Sequence, residues 1–203
     1  IHWFGQCICR PQSQTPSDIY DLMKRSGVVN LIIGVDSGSD AMLDAMNKKM
    51  KTNDVYDELE KFSEHGIHCN ILMLSGYYCE TWENFVETLH FLQKCQRHIA
   101  SGTIGTLGMG PPLYINEHMY IGQHAEELGI ILNEDHSIMW TMANDPENNY
   151  VTRIKRRVIA QLVLDMLGYA LSSQHVSNLQ QTLTLLEQEE SKLLEELNEI
   201  GRA

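Results

Sequence analysis

The chain has 203 residues, enough for one ordinary domain with an appendage. With 43% hydrophobic and 21% charged residues it excludes intrinsic disorder, and no apolar run approaches the ~18 residues of a membrane span. Fifteen basic against 27 acidic side chains give a formal net charge of −12, which argues against nucleic-acid phosphate as a partner. The five cysteines are odd in number and scattered, which does not suggest a secreted disulfide framework, and a reducing, cytoplasmic setting is expected.

The first residues, Ile1-His-Trp-Phe-Gly-Gln, read like the interior of a domain, and the numbering is expected to begin inside a larger protein. Gln6 to Cys9 fits a short strand. Thr15 as N-cap and Pro16 at the first helical position open a helix that Gly27 closes. Leu31 to Val35 is fully apolar, the pattern of a strand buried on both faces. Gly38 and Ser39 turn it into a helix carrying Met42, Leu43 and Met46. A second helix runs from Thr52 or Asn53 to Gly66, and the strand Ile67 to Leu74 follows. Trp82 to Gln96 is helical, Gly102 to Leu107 a strand, and a Gly-Pro loop leads to a helix over Glu117 to Leu128. Ile130 to Met142 fits a short extended segment or hairpin. Helices over Val151 to Tyr169 and Val176 to Ile200 end the chain, the last with a stripe at 176, 179, 183, 186, 193, 197 and 200 interrupted by Glu190.

Strands alternating with helices at this spacing predict parallel βαβ units, either a barrel or an open sheet. In both, ligands sit at the carboxyl ends of the strands. The residues that stand there are Arg10, Asp36-Ser-Gly-Ser39, Ser75-Gly-Tyr-Tyr-Cys-Glu80 and Gly108-Met-Gly-Pro-Pro112.

Leu31-Ile-Ile-Gly-Val-Asp-Ser-Gly-Ser39, followed by Met42-Leu-Asp-Ala-Met-Asn-Lys48, resembles the central segment of radical S-adenosylmethionine enzymes. It is most similar to members that carry a cobalamin-binding domain upstream. Gly66-Ile67, Gly76-Tyr-Tyr-Cys-Glu-Thr81, Trp82-Glu-Asn-Phe-Val-Glu-Thr-Leu89 and Pro111-Pro-Leu-Tyr114 continue the likeness in order. Upstream, Arg10 and Asp21-Leu-Met-Lys-Arg-Ser-Gly27 also fit.

The resemblance implies an α/β fold, a partial (βα) TIM-type barrel over residues 1–130 with a mostly helical extension over 131–203. It implies S-adenosylmethionine across the strand ends, with Asp36, Ser37 and Ser39 lining the pocket, Gly38 and Gly76 allowing the turns, and Arg10 near the methionine carboxylate. It further implies reductive cleavage of that cofactor by a [4Fe–4S] cluster, driving hydrogen abstraction or methyl transfer, with cobalamin allowed in the parent protein.

Three departures stand out. Asp36 replaces the usual Glu, and Tyr77-Tyr78-Cys79 replaces Phe-Pro-Gly. The Cys-x-x-x-Cys-x-x-Cys loop that holds the cluster does not occur, and its place lies before Ile1. The simple explanation is truncation, and the chain alone is expected to be inactive.

Blander readings stand beside these. Asp36 also reads as a helix cap, Arg10 as a surface ion pair, Glu80 as a first-turn helix acid. The remaining cysteines read as buried thiols, and the nine histidines lack metal-ligand spacing. The basic run Arg153-Ile-Lys155-Arg156-Arg157 reads as a solvated helix face with ion pairs, the alternative being a surface for nucleic acid or another anionic partner. The C-terminal stripe packs on the chain's own core or serves a homo-oligomer or partner, and Tyr77, Tyr78 and Trp82 suit a substrate wall. Two rival functions remain open: a barrel fragment binding a partner through its helical tail, and an unrelated hydrolase using Asp36, Glu80 and a histidine.

Overall fold

Four parallel strands lie side by side in chain order: β1 (Trp3–Cys7), β2 (Val28–Asp36), β3 (His68–Ser75) and β4 (Ile104–Pro112). The computed structural model describes residues 1–133, 137–169, 177–185 and 187–188. Between the strands run α1 (Ile19–Ser26), then α2 (Asp40–Ala45) with α3 (Thr52–His65), then α4 (Trp82–Lys94) with α5 (Gln96–Ala100). A doubly wound sheet reverses its strand order at a switch point. Here each strand simply follows its predecessor, as in a sector of a (βα) barrel.

The alternation of side chains decides what each face does. Leu31, Ile33 and Val35 of β2, Cys69, Ile71 and Met73 of β3, and Leu107 and Met109 of β4 are buried against the helices. Val55, Leu59 and Phe62 of α3 and Phe85 and Leu92 of α4 meet them. The opposite face carries Phe4, Gln6, Ile32, Asn70 and Leu72 in adjacent register, with Phe4 73% and Leu72 49% exposed. The expectation that Leu31 to Val35 is buried on both faces is therefore corrected. Ile32 and Gly34 are half-buried and look into the concave side.

Other expected boundaries move for local reasons. Thr15 caps nothing: its backbone is extended after a 3-10 turn at Gln12–Gln14, and α1 begins only at Ile19. Gly27 does end it, in the left-handed conformation at φ 89°. The predicted Gly-Pro loop is strand, because β4 is the edge of the sheet and proline's missing N–H costs no ladder bond there. The helix expected over 117–128 shrinks to α6 (Tyr120–Gln123), since the Asn116 side chain accepts from the His118 and Met119 amides and holds the preceding residues in a turn.

A small second core of Ile115, Ala125, Ile130 and Trp140 follows, carrying the antiparallel pair β5 (Ile130–Ile131) and β6 (Thr141–Met142). α7 (Tyr150–Met166), capped by the Asn149 side chain on the Thr152 amide, then returns to the sheet and adds Ala160 and Leu164 to the main core. The basic run lies on it, and the solvated-face reading is corrected: Arg153 is 0% and Arg156 5% exposed. Residues 177–185 are helical, while 176, 186, 193, 197 and 200 of the predicted stripe lie outside the described residues. No described helix is long and apolar enough to cross a membrane.

Candidate functional site

The carboxyl end of β2 is bulged. Its pairing with β3 slips between Gly34 and Asp36, and Asp36 takes a left-handed backbone at φ 70°, which short polar residues tolerate best. The chain turns again at Asn47, φ 55°, after α2, and this returns Lys48 over the strand end. There the Lys48 ammonium ion-pairs with Asp36 and donates to the Gly34 carbonyl at 3.0 Å. Both side chains are about one-third exposed, so the pair is available to a ligand rather than sealed.

Lys48 and Arg10 together border a cleft of about 470 Å³, whose floor includes Ile32, Gly34 and Leu72. That volume falls within the roughly 300–1,000 Å³ of small-molecule sites. Two cations at the rim of a cleft, on a chain of net charge −12, favour a ligand carrying a carboxylate or phosphate.

The remaining predicted residues face elsewhere. Ser37 and Ser39 are buried, and their polar groups are engaged with α4. The Gly38 amide donates to Thr88 Oγ1 at 3.1 Å, Ser39 N to Ser37 Oγ at 3.2 Å, and Asn84 Nδ2 to Ser39 Oγ at 3.2 Å. Gly76, at φ 74°, lies beneath the Arg153 side chain, where a Cβ would collide. The structure thus gathers Arg10 and, through Lys48, Asp36 at the cleft, and sets the serines and glycines in the packing around it. Lys48 was missed from sequence. Its signal was the Asn47-Lys48 pair that closes the Met42–Lys48 stretch of the resemblance.

Glu80 closes the β3–α4 turn and is buried rather than solvated as a first-turn acid. It accepts from Arg156 Nη1 at 3.0 Å through its side chain and at 3.0 Å through its carbonyl. Arg153 Nη1 donates to the carbonyl and side-chain oxygens of Asn148, and Nη2 to the carbonyls of Ile138 and Trp140. Its guanidinium stacks 3.6 Å from the Trp140 ring centroid.

The cysteines do not fit an iron–sulfur cluster, which binds thiolates. Cys9, Cys69 and Cys95 are fully buried on the helix side of the sheet, away from the cleft. Burial pushes the Cys7, Cys69 and Cys95 thiols up to about 12. Among the described residues no group of three or more His, Cys, Asp or Glu could hold a metal ion.

Several solved structures are similar over part of the chain. They include the cobalamin-dependent S-adenosylmethionine radical enzyme OxsB (20% identity, TM-score 0.41, 63% of this chain and 17% of that one). The radical S-adenosylmethionine methyltransferase TsrM from Kitasatospora setae matches at 17% identity and TM-score 0.45, over 64% of this chain and 26% of that one. Coproporphyrinogen III oxidase HemN from Escherichia coli, a radical SAM enzyme, matches at 12% identity and TM-score 0.44, over 80% and 55%. This chain therefore spans between 17% and 55% of their lengths. No curated protein matches it. Residues 7–92, the stretch holding β2, β3 and the turns that close them, match the family model of the Radical SAM superfamily.

Proposed function

We propose that this chain contributes the strand-end binding surface for S-adenosylmethionine in a radical S-adenosylmethionine enzyme. The observation that carries the reading is the cleft at the carboxyl ends of β1 and β2, with Arg10 and Lys48 at its rim and Asp36 paired to Lys48. On this reading Arg10 and Lys48 hold the methionine carboxylate. Asp36 keeps Lys48 in place and accepts from a ribose hydroxyl or from the amino group. The concave face beyond them, open at Leu72 and floored by Gly34, admits the rest of the ligand. On this reading the described residues supply neither the [4Fe–4S] ligands nor a cobalamin site. The chain's own part is binding and positioning for a reductive cleavage that drives hydrogen abstraction or methyl transfer.

The test uses the polypeptide that carries this chain together with its upstream segment, reconstituted anaerobically with iron and sulfide and assayed with dithionite for 5′-deoxyadenosine. Wild type is expected to release it. Lys48→Ala and Arg10→Ala are expected to raise the S-adenosylmethionine KM about tenfold or more, since a hydrogen bond to a charged group contributes roughly 1.5–3 kcal/mol. A reconstituted protein that neither holds a cluster nor cleaves the cofactor overturns the reading in favour of a binding module built on a barrel fragment.

A further inference from the structure

The turn that closes β3, residues 75–80, is held from within and from afar. Within it the Glu80 amide donates to the Tyr77 carbonyl at 3.0 Å, and the Gly76 backbone bonds the Glu80 carboxylate. Further bonds come from the segment around the start of α7, some 70 to 78 residues later. Ser75 Oγ donates to the Arg153 carbonyl at 3.1 Å. The Arg153 side chain covers Gly76 so closely that only glycine fits. Asn148 Nδ2 donates to the Tyr78 carbonyl at 2.7 Å, and Arg156 grips Glu80 by carbonyl and carboxylate together. Arg157 Nε reaches the Met109 carbonyl of β4 at 3.5 Å. Each arginine of the run therefore has a different attachment at the same end of the sheet.

The turn in turn bears on the cleft. Tyr77 is almost wholly buried, and its hydroxyl reaches the Ala45 carbonyl at the end of α2. Ala45 lies three residues before Lys48, the cation that holds Asp36. A continuous set of contacts so runs from α7 through the turn and the end of α2 to the cleft rim.

We infer that α7 is a positioning element of the strand-end site, with Arg156, Arg153 and Asn148 fixing the 75–80 turn and, through Tyr77, the loop that presents Lys48. This rests on the reading of the cleft as an S-adenosylmethionine site. None of the three residues lines the cleft.

The test compares wild type with Arg156→Gln, Asn148→Ala and the double variant Glu80→Gln/Arg156→Gln, all in this full chain. Hydrogen exchange is read residue by residue, and binding of S-adenosylhomocysteine, a non-cleavable probe, by calorimetry. Arg156→Gln and Asn148→Ala are expected to speed exchange of the 76–80 amides at least tenfold while β2 and β3 keep their protection, and to weaken the probe several-fold. The double variant, whose two neutral amides can pair, is expected to recover part of both losses relative to Arg156→Gln. A merely structural role would loosen the whole sheet or leave the probe's affinity untouched, and either result overturns the inference, as does unchanged exchange in the turn. If wild type does not bind the probe, the cofactor reading falls and takes the ligand arm with it. The exchange pattern then still decides whether α7 holds the turn.

Discussion

Among the described residues no cation pairs with Glu58. It stands on α3, 6% exposed, and accepts a hydrogen bond from the Tyr20 hydroxyl at 2.9 Å, while Gln12 donates to that hydroxyl at 3.2 Å. Burial raises its carboxyl above the ordinary glutamate range, and the hydrogen bonds from Tyr20 and Gln12 offset only part of that. A raised folded-state value means the folded chain binds this proton more tightly than the unfolded chain does. The resulting stabilisation is complete below the ordinary value of 4.5 and is lost as pH rises through the folded-state value. At neutral pH the ionised group therefore works against folding. Glu58→Gln keeps an acceptor for Tyr20 and removes the charge. Urea titrations should find the variant more stable than wild type at pH 8, with the gap closing as pH falls toward 4. A gap that is constant across that range would show that the carboxyl titrates normally. Asp36 presents the contrasting residue: a carboxylate about one-third exposed with a lysine beside it, suited to exchange that partner for a ligand.

At the scale of elements, the docking of α4 on the turn after β2 depends on the absence of one side chain. A Cβ at Gly38 would collide with the Phe91 side chain and come within 2.7 Å of the Thr88 backbone. Gly38→Ala should cost about 1–3 kcal/mol, the usual range for overpacking, seen as a lower urea midpoint at unchanged slope. Gly108→Ala on β4, where a Cβ would meet nothing within 4 Å, should be neutral or slightly stabilising and serves as the control. Equal effects at the two positions would refute the packing account. Gly38 also marks what the sequence made legible. The strand–helix alternation, the glycine stops and the strand-end loops could be read from local pattern, because each depends on residues near one another in the chain. Contacts between distant segments could not be read in that way. The Ser37 and Ser39 hydroxyls look like ligand groups until α4 is seen to take them up, 45 to 51 residues away. The arginine run looked solvated because charge was weighed before spacing. Yet 153, 156, 160 and 164 are separated by three, four and four residues, which puts two of the arginines on the same helical stripe as the buried Ala160 and Leu164.

For the whole molecule, that stripe makes α7 a structural necessity rather than an appendage. Val158 and Leu164 are each 2% exposed, and fully burying such side chains stabilises by about 1.5–3 kcal/mol apiece. Removing α7 would also take Arg156 from the carbonyl and carboxylate of Glu80. Arg153 would no longer tie Asn148, Ile138 and Trp140 to the turn after β3. These losses are a large share of the stability of an ordinary domain, about 5–15 kcal/mol. A chain ending at residue 149 should therefore keep helical far-ultraviolet dichroism but lose near-ultraviolet signal and bind a hydrophobic dye, the marks of a compact state without fixed packing. The full chain should unfold in a single transition seen alike by both signals. Should the shortened chain instead unfold cooperatively with native near-ultraviolet dichroism, the sheet and the six helices before α7 would be self-sufficient. The arginines of α7 would then act on the turn after β3 from outside the folding unit.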